Sequence, residues 1–403
     1  MFFNASTSRF GEFVKTSNVV LVVGLLMGLA SSGAHSQSSV TLYGVIDEAV
    51  QYQTNIRGGK LVNLDSLSGI SGSRWGITGK EDLGAGLKAI FTLESGININ
   101  NGQFAQGGTA FGRQAFVGIS SDRFGTVTAG RQYDMVYYFP EFLTASAIVG
   151  AIPGAHPGDF DNTSNEVRFN NSLRYMSADF HGLSFGAEYS FGGVPGNFTS
   201  TSGYSIGAGY KQGPLQAGVA LDYFKHPTAS PGTGWFTANA SGFSLLANSL
   251  NSAYQVAQAY QDAVVAATYT IGNATVSASY SNVQYANLGQ TFLNGTAIFN
   301  NYDIGVSYRF TPALSAGVMY DYMNARAVTT AQGRSVGNQH YNQVAFLLDY
   351  VLSKRTDVYF SGGWQRASGT SSTGQAAVAD IGGSGDSSNN HQMLYRLAIR
   401  HRF

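Results

Sequence analysis

The chain has 403 residues, of which 43% are hydrophobic and only 11% charged, with 23 basic and 23 acidic side chains and no cysteine. Zero net charge removes the electrostatic footprint of a nucleic-acid binder. The missing cysteines exclude thiolate catalysis, zinc–thiolate sites, iron–sulfur clusters and disulfide support.

The chain opens with an address. Arg9 and Lys15 form a basic start, an apolar run follows from Val19 to Ala30, and Ala34-His35-Ser36 offers small residues for cleavage before Gln37. That order reads as a secretory signal peptide over residues 1–36, too short in its apolar part to span a membrane as a helix. The expected mature domain is 37–403. Beyond the leader, no stretch approaches the roughly 18 uninterrupted apolar residues of a membrane helix.

Apolar and polar residues alternate instead. Leu87, Ala89, Phe91 and Leu93 alternate with Lys88, Ile90, Thr92 and Glu94; Val167, Phe169, Leu173 and Tyr175 alternate with Arg168, Asn170, Ser172 and Arg174. Tyr302, Ile304, Val306, Tyr308 and Phe310 alternate with Asp303, Gly305, Ser307 and Arg309, and the final segment does the same through Leu397, Ile399 and Phe403. Period two places one class on each face of a strand. Sixteen strands are predicted, near 40–53, 71–82, 86–97, 111–120, 124–133, 166–178, 183–191, 203–211, 214–225, 260–271, 273–286, 298–310, 313–326, 338–352, 355–368 and 390–403.

The connections decide between a sandwich and a barrel. Short turns such as Gln212-Gly213, Gly272-Asn273 and Ser353-Lys354 alternate with long connections such as 134–165, 226–259 and 369–389. An antiparallel transmembrane β-barrel has this rhythm, with short turns on one side of the membrane and long loops on the other. About sixteen strands enclose enough space for an aqueous channel. Tyr320, Tyr322, Tyr341, Tyr350 and Trp364 stand near strand ends, where interfacial girdles form, although aromatics favour strands in any case. Residues 242–262 break the pattern and fit a short loop helix or an ordered loop on the rim.

These residues resemble a known family, the Gram-negative general porins, and most of all those of β-proteobacteria. The resemblance is carried by Leu42-Tyr43-Gly44-Val45-Ile46-Asp47, by Ser73-Arg74-Trp75-Gly76 through Leu83-Gly84, by Gly112-Arg113-Gln114-Ala115-Phe116-Val117-Gly118, by Phe124 to Gln132, by Leu352-Ser353-Lys354-Arg355-Thr356 and by the terminal Arg400-His401-Arg402-Phe403. It implies an all-β, 16-stranded antiparallel barrel assembled as a homotrimer, with the long third loop folded into the lumen. It implies a water-filled channel for small hydrophilic solutes and ions, seated in outer-membrane lipid and lipopolysaccharide. It also implies a charged constriction, with Arg74, Arg113, Arg131 and Arg168 on the wall and Glu141, in the tripeptide Pro140-Glu141-Phe142, on the loop. Relatives carry a basic residue where Val45 stands, and Leu143-Thr144-Ala145 replaces the glycine and acid that usually follow the tripeptide. No cofactor is expected.

Rings and clusters of charge at a constriction are how pores select, and arginine keeps its charge at any working pH. Arg113 and Arg131 share strand parity with Ala115, Val117, Val127 and Ala129, so their lumen position requires an inward loop or a subunit contact over those apolar neighbours. Asp159, Asp161, Asn162, Asn165 and Glu166 form an oxygen-rich cluster without the glycine and terminal acid of a calcium loop; it reads as a solvated loop end or acidic vestibule. The histidines lack metal-pair spacing. A barrel lipase or protease is a rival, but no G-x-S-x-G element appears in the mature strands. An adhesive barrel would want a plugged or apolar lumen. A substrate-selective channel is the nearest alternative.

Overall fold

A computed structural model describes residues 38–164, 167–227 and 249–403. The leader read over residues 1–36, and Asn165 and Glu166 of the acidic cluster, lie outside the described residues.

Sixteen strands form the wall: β1 (Ser39–Ile56), β2 (Arg74–Gly84), β3 (Leu87–Asn98), β4 (Gln114–Ser121), β5 (Gly125–Gln132), β6 (Phe169–Met176), β7 (Leu183–Ser190), β8 (Gly203–Gln212), β9 (Leu215–Lys225), β10 (Ala259–Ile271), β11 (Ala274–Ala286), β12 (Ala297–Arg309), β13 (Leu314–Ala325), β14 (His340–Val351), β15 (Thr356–Ser368) and β16 (His391–Arg402). Each pairs antiparallel with its chain neighbours. The circle closes where β16 pairs with β1, Val45 opposite Arg402 and Gln53 opposite Leu394. Past the last strand, Phe403 and Gly44 exchange backbone hydrogen bonds of 3.0 and 3.2 Å. Only such closure satisfies every backbone N–H and C=O within hydrocarbon.

The side chains follow the period-two reading. On β16, Leu397 is 63% exposed while Arg396 is fully buried. On β12, Tyr302, Ile304 and Val306 are exposed while Asn301 and Asp303 are buried. A soluble protein would have the opposite arrangement. Apolar outside and polar inside is the signature of a wall with lipid on its outer surface.

Three expectations are corrected. Val167 and Phe169 are buried inside the barrel, not on the lipid face with Leu173. The ladder between β5 and β6 shifts register around Gly130 and Gln132, and Asn171 takes a left-handed φ of 50°. That bulge puts Phe169 and Ser172 on one side although they are three residues apart. Tyr341 also faces inward, fully buried, its hydroxyl donating to the Val378 carbonyl at 3.1 Å, whereas Tyr320 and Tyr350 are exposed. Finally, in the segment 242–262 the described part holds one 3-10 turn, Ser252–Val256, whose Tyr254 packs into an aromatic core with Phe292 and Phe299 before β10 begins.

Loop 3, residues 133–168, lies along the inner wall. It passes over β8 and β9, where Gly218 has no Cβ to collide with the Phe139 carbonyl. A Cβ at Gly317 of β13 would stand 2.7 Å from Ile148, and one at Gly363 of β15 would stand 2.9 Å from the Pro153 oxygen. Bare backbone lets the loop sit directly on the sheet. At its far end the Ile152 N–H donates to the Ser68 carbonyl at 3.0 Å. Ser68 belongs to residues 66–73 of the first long connection, which also fold inward: the Ser71 N–H donates to Asp47, and the Tyr359 hydroxyl donates to the same carboxylate at 2.6 Å.

The return leg of loop 3 is fastened by His156. Its Nδ1 lies 2.7 Å from Asp161, and its Nε2 lies 3.0 Å from Asp303 of β12 and 3.8 Å from Asp321 of β13. The Thr163 and Ser281 hydroxyls donate to Asp161, and the Ser146 N–H donates to Asp303. The acidic cluster is therefore no solvated vestibule. Asp159, Asp161 and Asn162 are buried, with Asn162 donating to Asp134 at 2.6 Å and Asp159 accepting from the Ser164 N–H. The reason is that the loop doubles back under the rim core of Phe160, Phe169, Phe299 and Tyr260.

Desolvation opposes charge on the His156 ring, but Asp161 and Asp303 overcome it and hold the imidazole well above its ordinary value. A raised histidine contributes fully below its unfolded value near 6.5 and loses its contribution only as pH climbs through the raised one. Neutral pH thus lies inside the stable window. His156→Gln leaves buried carboxylates without their cation, at a cost of about 3–5 kcal/mol. The expected result is proteolytic cleavage within 145–164 in detergent at pH 7, with wild-type protein approaching that behaviour only in alkali; equal resistance of both proteins removes the anchoring role. On the outer wall, Ile304→Arg near the middle of β12 is expected to lower unfolding stability in vesicles by about 2–4 kcal/mol, read from urea midpoints.

Candidate pore constriction

With loop 3 lying over β8 to β15, the strands β2 to β6 hold the facing wall, and three of the four predicted arginines meet there around a carboxylate. Glu94, an inward residue of β3, accepts from Arg113 Nε at 2.7 Å and from the Tyr43 hydroxyl at 2.9 Å. Arg74 Nε lies 3.7 Å from its other oxygen. The Tyr133 hydroxyl, from the start of loop 3, reaches Glu94 at 3.4 Å. The Arg74 guanidinium also donates to the Gly72 carbonyl, so the inward first loop helps aim it.

Arg168 precedes β6 and is buried with its guanidinium 5.1 Å from the centre of the Tyr133 ring; Arg113 faces the same ring at 5.8 Å. Cations over a ring face are attracted by its quadrupole, by about 0.5–2 kcal/mol. Tyr133 is therefore the hub that lets three like charges share one small region. Arg174, inward on β6, donates to the Tyr138 hydroxyl at 2.7 Å and to the Tyr133 carbonyl at 3.3 Å, locking the first turn of loop 3. Asp134 caps that turn by accepting from the Tyr137 N–H.

Arg131 stands at the edge of the group. It alternates with Thr128 and Gln132, which are buried, and shares its side with the exposed Val127 and Ala129. Its Nε donates to the Gly112 carbonyl at 2.8 Å and its terminal nitrogen to Asn170. Glu141 lies on the loop in the 3-10 turn Glu141–Leu143 and is buried. That turn is fixed to the wall through the Leu143 carbonyl, which accepts from Ser277 of β11. The next residue, Phe142, is 61% exposed.

Glu94, Tyr133 and His156 went unnoticed as site residues in the sequence. Glu94 is visible there as a polar member of a good strand, yet nothing local tells that its partner is 19 positions on. His156 and Asp303 are 147 positions apart. Among the described residues no group of three or more His, Cys, Asp or Glu side chains could hold a metal ion.

With this geometry in hand, comparison with known proteins is direct. The family model described as Gram-negative porin matches residues 21–370. An outer membrane porin protein of Bordetella pertussis is 28% identical, over 86% of this chain and 94% of its own. Outer membrane porin protein 32 of Delftia acidovorans is 27% identical over 95% and 99%. Among solved structures, an anion-selective porin from Comamonas acidovorans superposes with a TM-score of 0.67 at 23% identity, covering 91% of this chain and all of that one. A closed sixteen-strand barrel with lipid-facing apolar residues and a loop laid inside it thus has its explanation: the chain belongs to the Gram-negative porin family and forms an outer-membrane channel for passive diffusion.

Proposed function

We propose that the channel is a non-specific diffusion pore, not an enzyme, and that its constriction lies between the arginine wall and loop 3, favouring small anions. The observation that carries this reading is the convergence of Arg74, Arg113 and Arg168 on the Tyr133 ring, with Glu94 the one carboxylate bonded into that group. Arg131 extends the positive field at its edge, and Glu141 supplies negative charge from the loop side. Solutes crossing such a gap meet a transverse field, which orients water and rewards molecules able to exchange hydration for charged hydrogen bonds.

The same reading takes the functional unit to be a homotrimer embedded in lipid and lipopolysaccharide, exported by removal of residues 1–36. The family resemblance supports the trimer, and the exposed apolar residues of β4 and β5, Val117, Ile119 and Val127, supply surface for lipid or a neighbouring subunit. Against an enzyme stands the use of the inward histidine and carboxylates as loop anchors: both nitrogens of His156 are engaged by aspartates.

Reconstituted protein is expected to give stepwise, long-lived conductances with an anion-favouring reversal potential in a salt gradient. A unit charge about 8 Å from an ion in water is worth about 0.5 kcal/mol, near twofold in permeability. Arg74→Ala and Arg168→Ala should each lower the anion-to-cation ratio by about that factor, and Glu94→Gln should raise it. Unshifted reversal potentials in all three would remove these residues from the constriction, and an absence of conductance would remove the channel.

A further inference from the structure

We propose that the exposed ring of Phe142, acting with the Arg74 and Arg113 guanidinia, forms a subsite in the channel for small aromatic carboxylates. The inference rests on the constriction described above and adds a solute class to it.

Phe142 cannot turn to the wall, because both neighbours hold it out. Glu141 is buried against the barrel side of the turn, and the Leu143 carbonyl is tied to Ser277. The Thr144 hydroxyl donates to the Glu141 carbonyl at 2.8 Å and accepts from the Ala147 N–H at 3.1 Å, so the turn is rigid on both flanks. A large apolar side chain is thereby fixed in view of the lumen, inside a barrel whose other large inward aromatics are buried.

The ring is also not isolated. Its edge meets Tyr137 with centroids 5.1 Å apart and planes at 77°. Tyr137 stacks on Tyr133 at 4.0 Å and 12°, and Tyr133 carries the Arg113 and Arg168 guanidinia. An aromatic surface thus runs without a break from an exposed face to a cationic cluster, and the Arg74 side chain keeps about a quarter of its surface open there. A solute with a ring at one end and a carboxylate at the other matches both ends. Ring stacking in offset or edge-to-face geometry adds attraction beyond apolar area, and a planar guanidinium pairs with a carboxylate in bidentate fashion. A saturated ring acid offers the same charge and similar apolar area without the π face, and that difference isolates the role of Phe142.

The test is block of potassium chloride current through reconstituted trimers by benzoate and by cyclohexanecarboxylate. Wild-type protein is expected to be half-blocked by benzoate at a concentration about threefold to tenfold lower than by cyclohexanecarboxylate. Phe142→Leu should erase that gap and Phe142→Tyr should keep it, while Arg74→Ala should weaken block by both anions. Equal half-blocking concentrations in wild-type protein, or a gap that survives in Phe142→Leu, would overturn the subsite while leaving the channel reading intact. Absence of chloride current in wild-type protein would overturn the channel reading itself, and the subsite with it.

Discussion

Hydrocarbon offers no partner to a peptide N–H or C=O, and the rest of this structure follows from that. Sixteen strands satisfy one another around a circle, and the seam between β16 and β1 is an ordinary antiparallel ladder. Once closure is met, a buried apolar core is no longer what holds the wall together. Leucine, isoleucine and valine can face outward, and the interior is released for polar chemistry. The arginines and aspartates that would be liabilities in a soluble core are affordable because the ladder already carries the fold.

The interior is asymmetric. Strands β8 to β15 present glycines and short polar residues on which loop 3 rests, and at the long-loop end their inward aromatics form a packed cluster. Strands β2 to β6 present arginines. The loop is held by a cation of its own, His156, placed between aspartates from the loop and from the wall. On the other side, arginines are held by a ring, Tyr133, and by a carboxylate, Glu94. Arginine serves there better than lysine because its weakly hydrated plane can lie on an aromatic face and still present donors to a passing solute.

Much of this was legible in the sequence, and the exceptions have physical causes. Period-two alternation located every wall strand to within a few residues, because the lipid and the lumen impose opposite demands on adjacent positions. The reading failed at Phe169, where a bulge at Asn170 and Asn171 inserts an extra residue and reverses the faces above it. It failed at Tyr341 because an aromatic near a strand end satisfies either a membrane interface or a rim core, and composition does not distinguish the two. The arginines stood out through their family motifs, but Glu94 and Tyr133 did not. Their role comes from a turn of loop 3 that brings together β1, β3 and the approaches to β4 and β6, and no local pattern encodes such a meeting. The inward course of residues 66–73 was equally silent, since its anchors, Asp47 and Tyr359, are 312 positions apart.

The contact between Ile152 and Ser68 makes loop 3 an arch with two abutments, one at the end of β5 and one on the first loop. Gly150 lies against Ile70 at that second footing, where a Cβ would come within 3.1 Å of the isoleucine side chain. The span cannot drift from the wall unless both footings yield. Sequence change on the outer surface of the barrel is then free to accumulate in the distal parts of the long connections, while residues 66–70 and 150–152 are bound to change together or not at all.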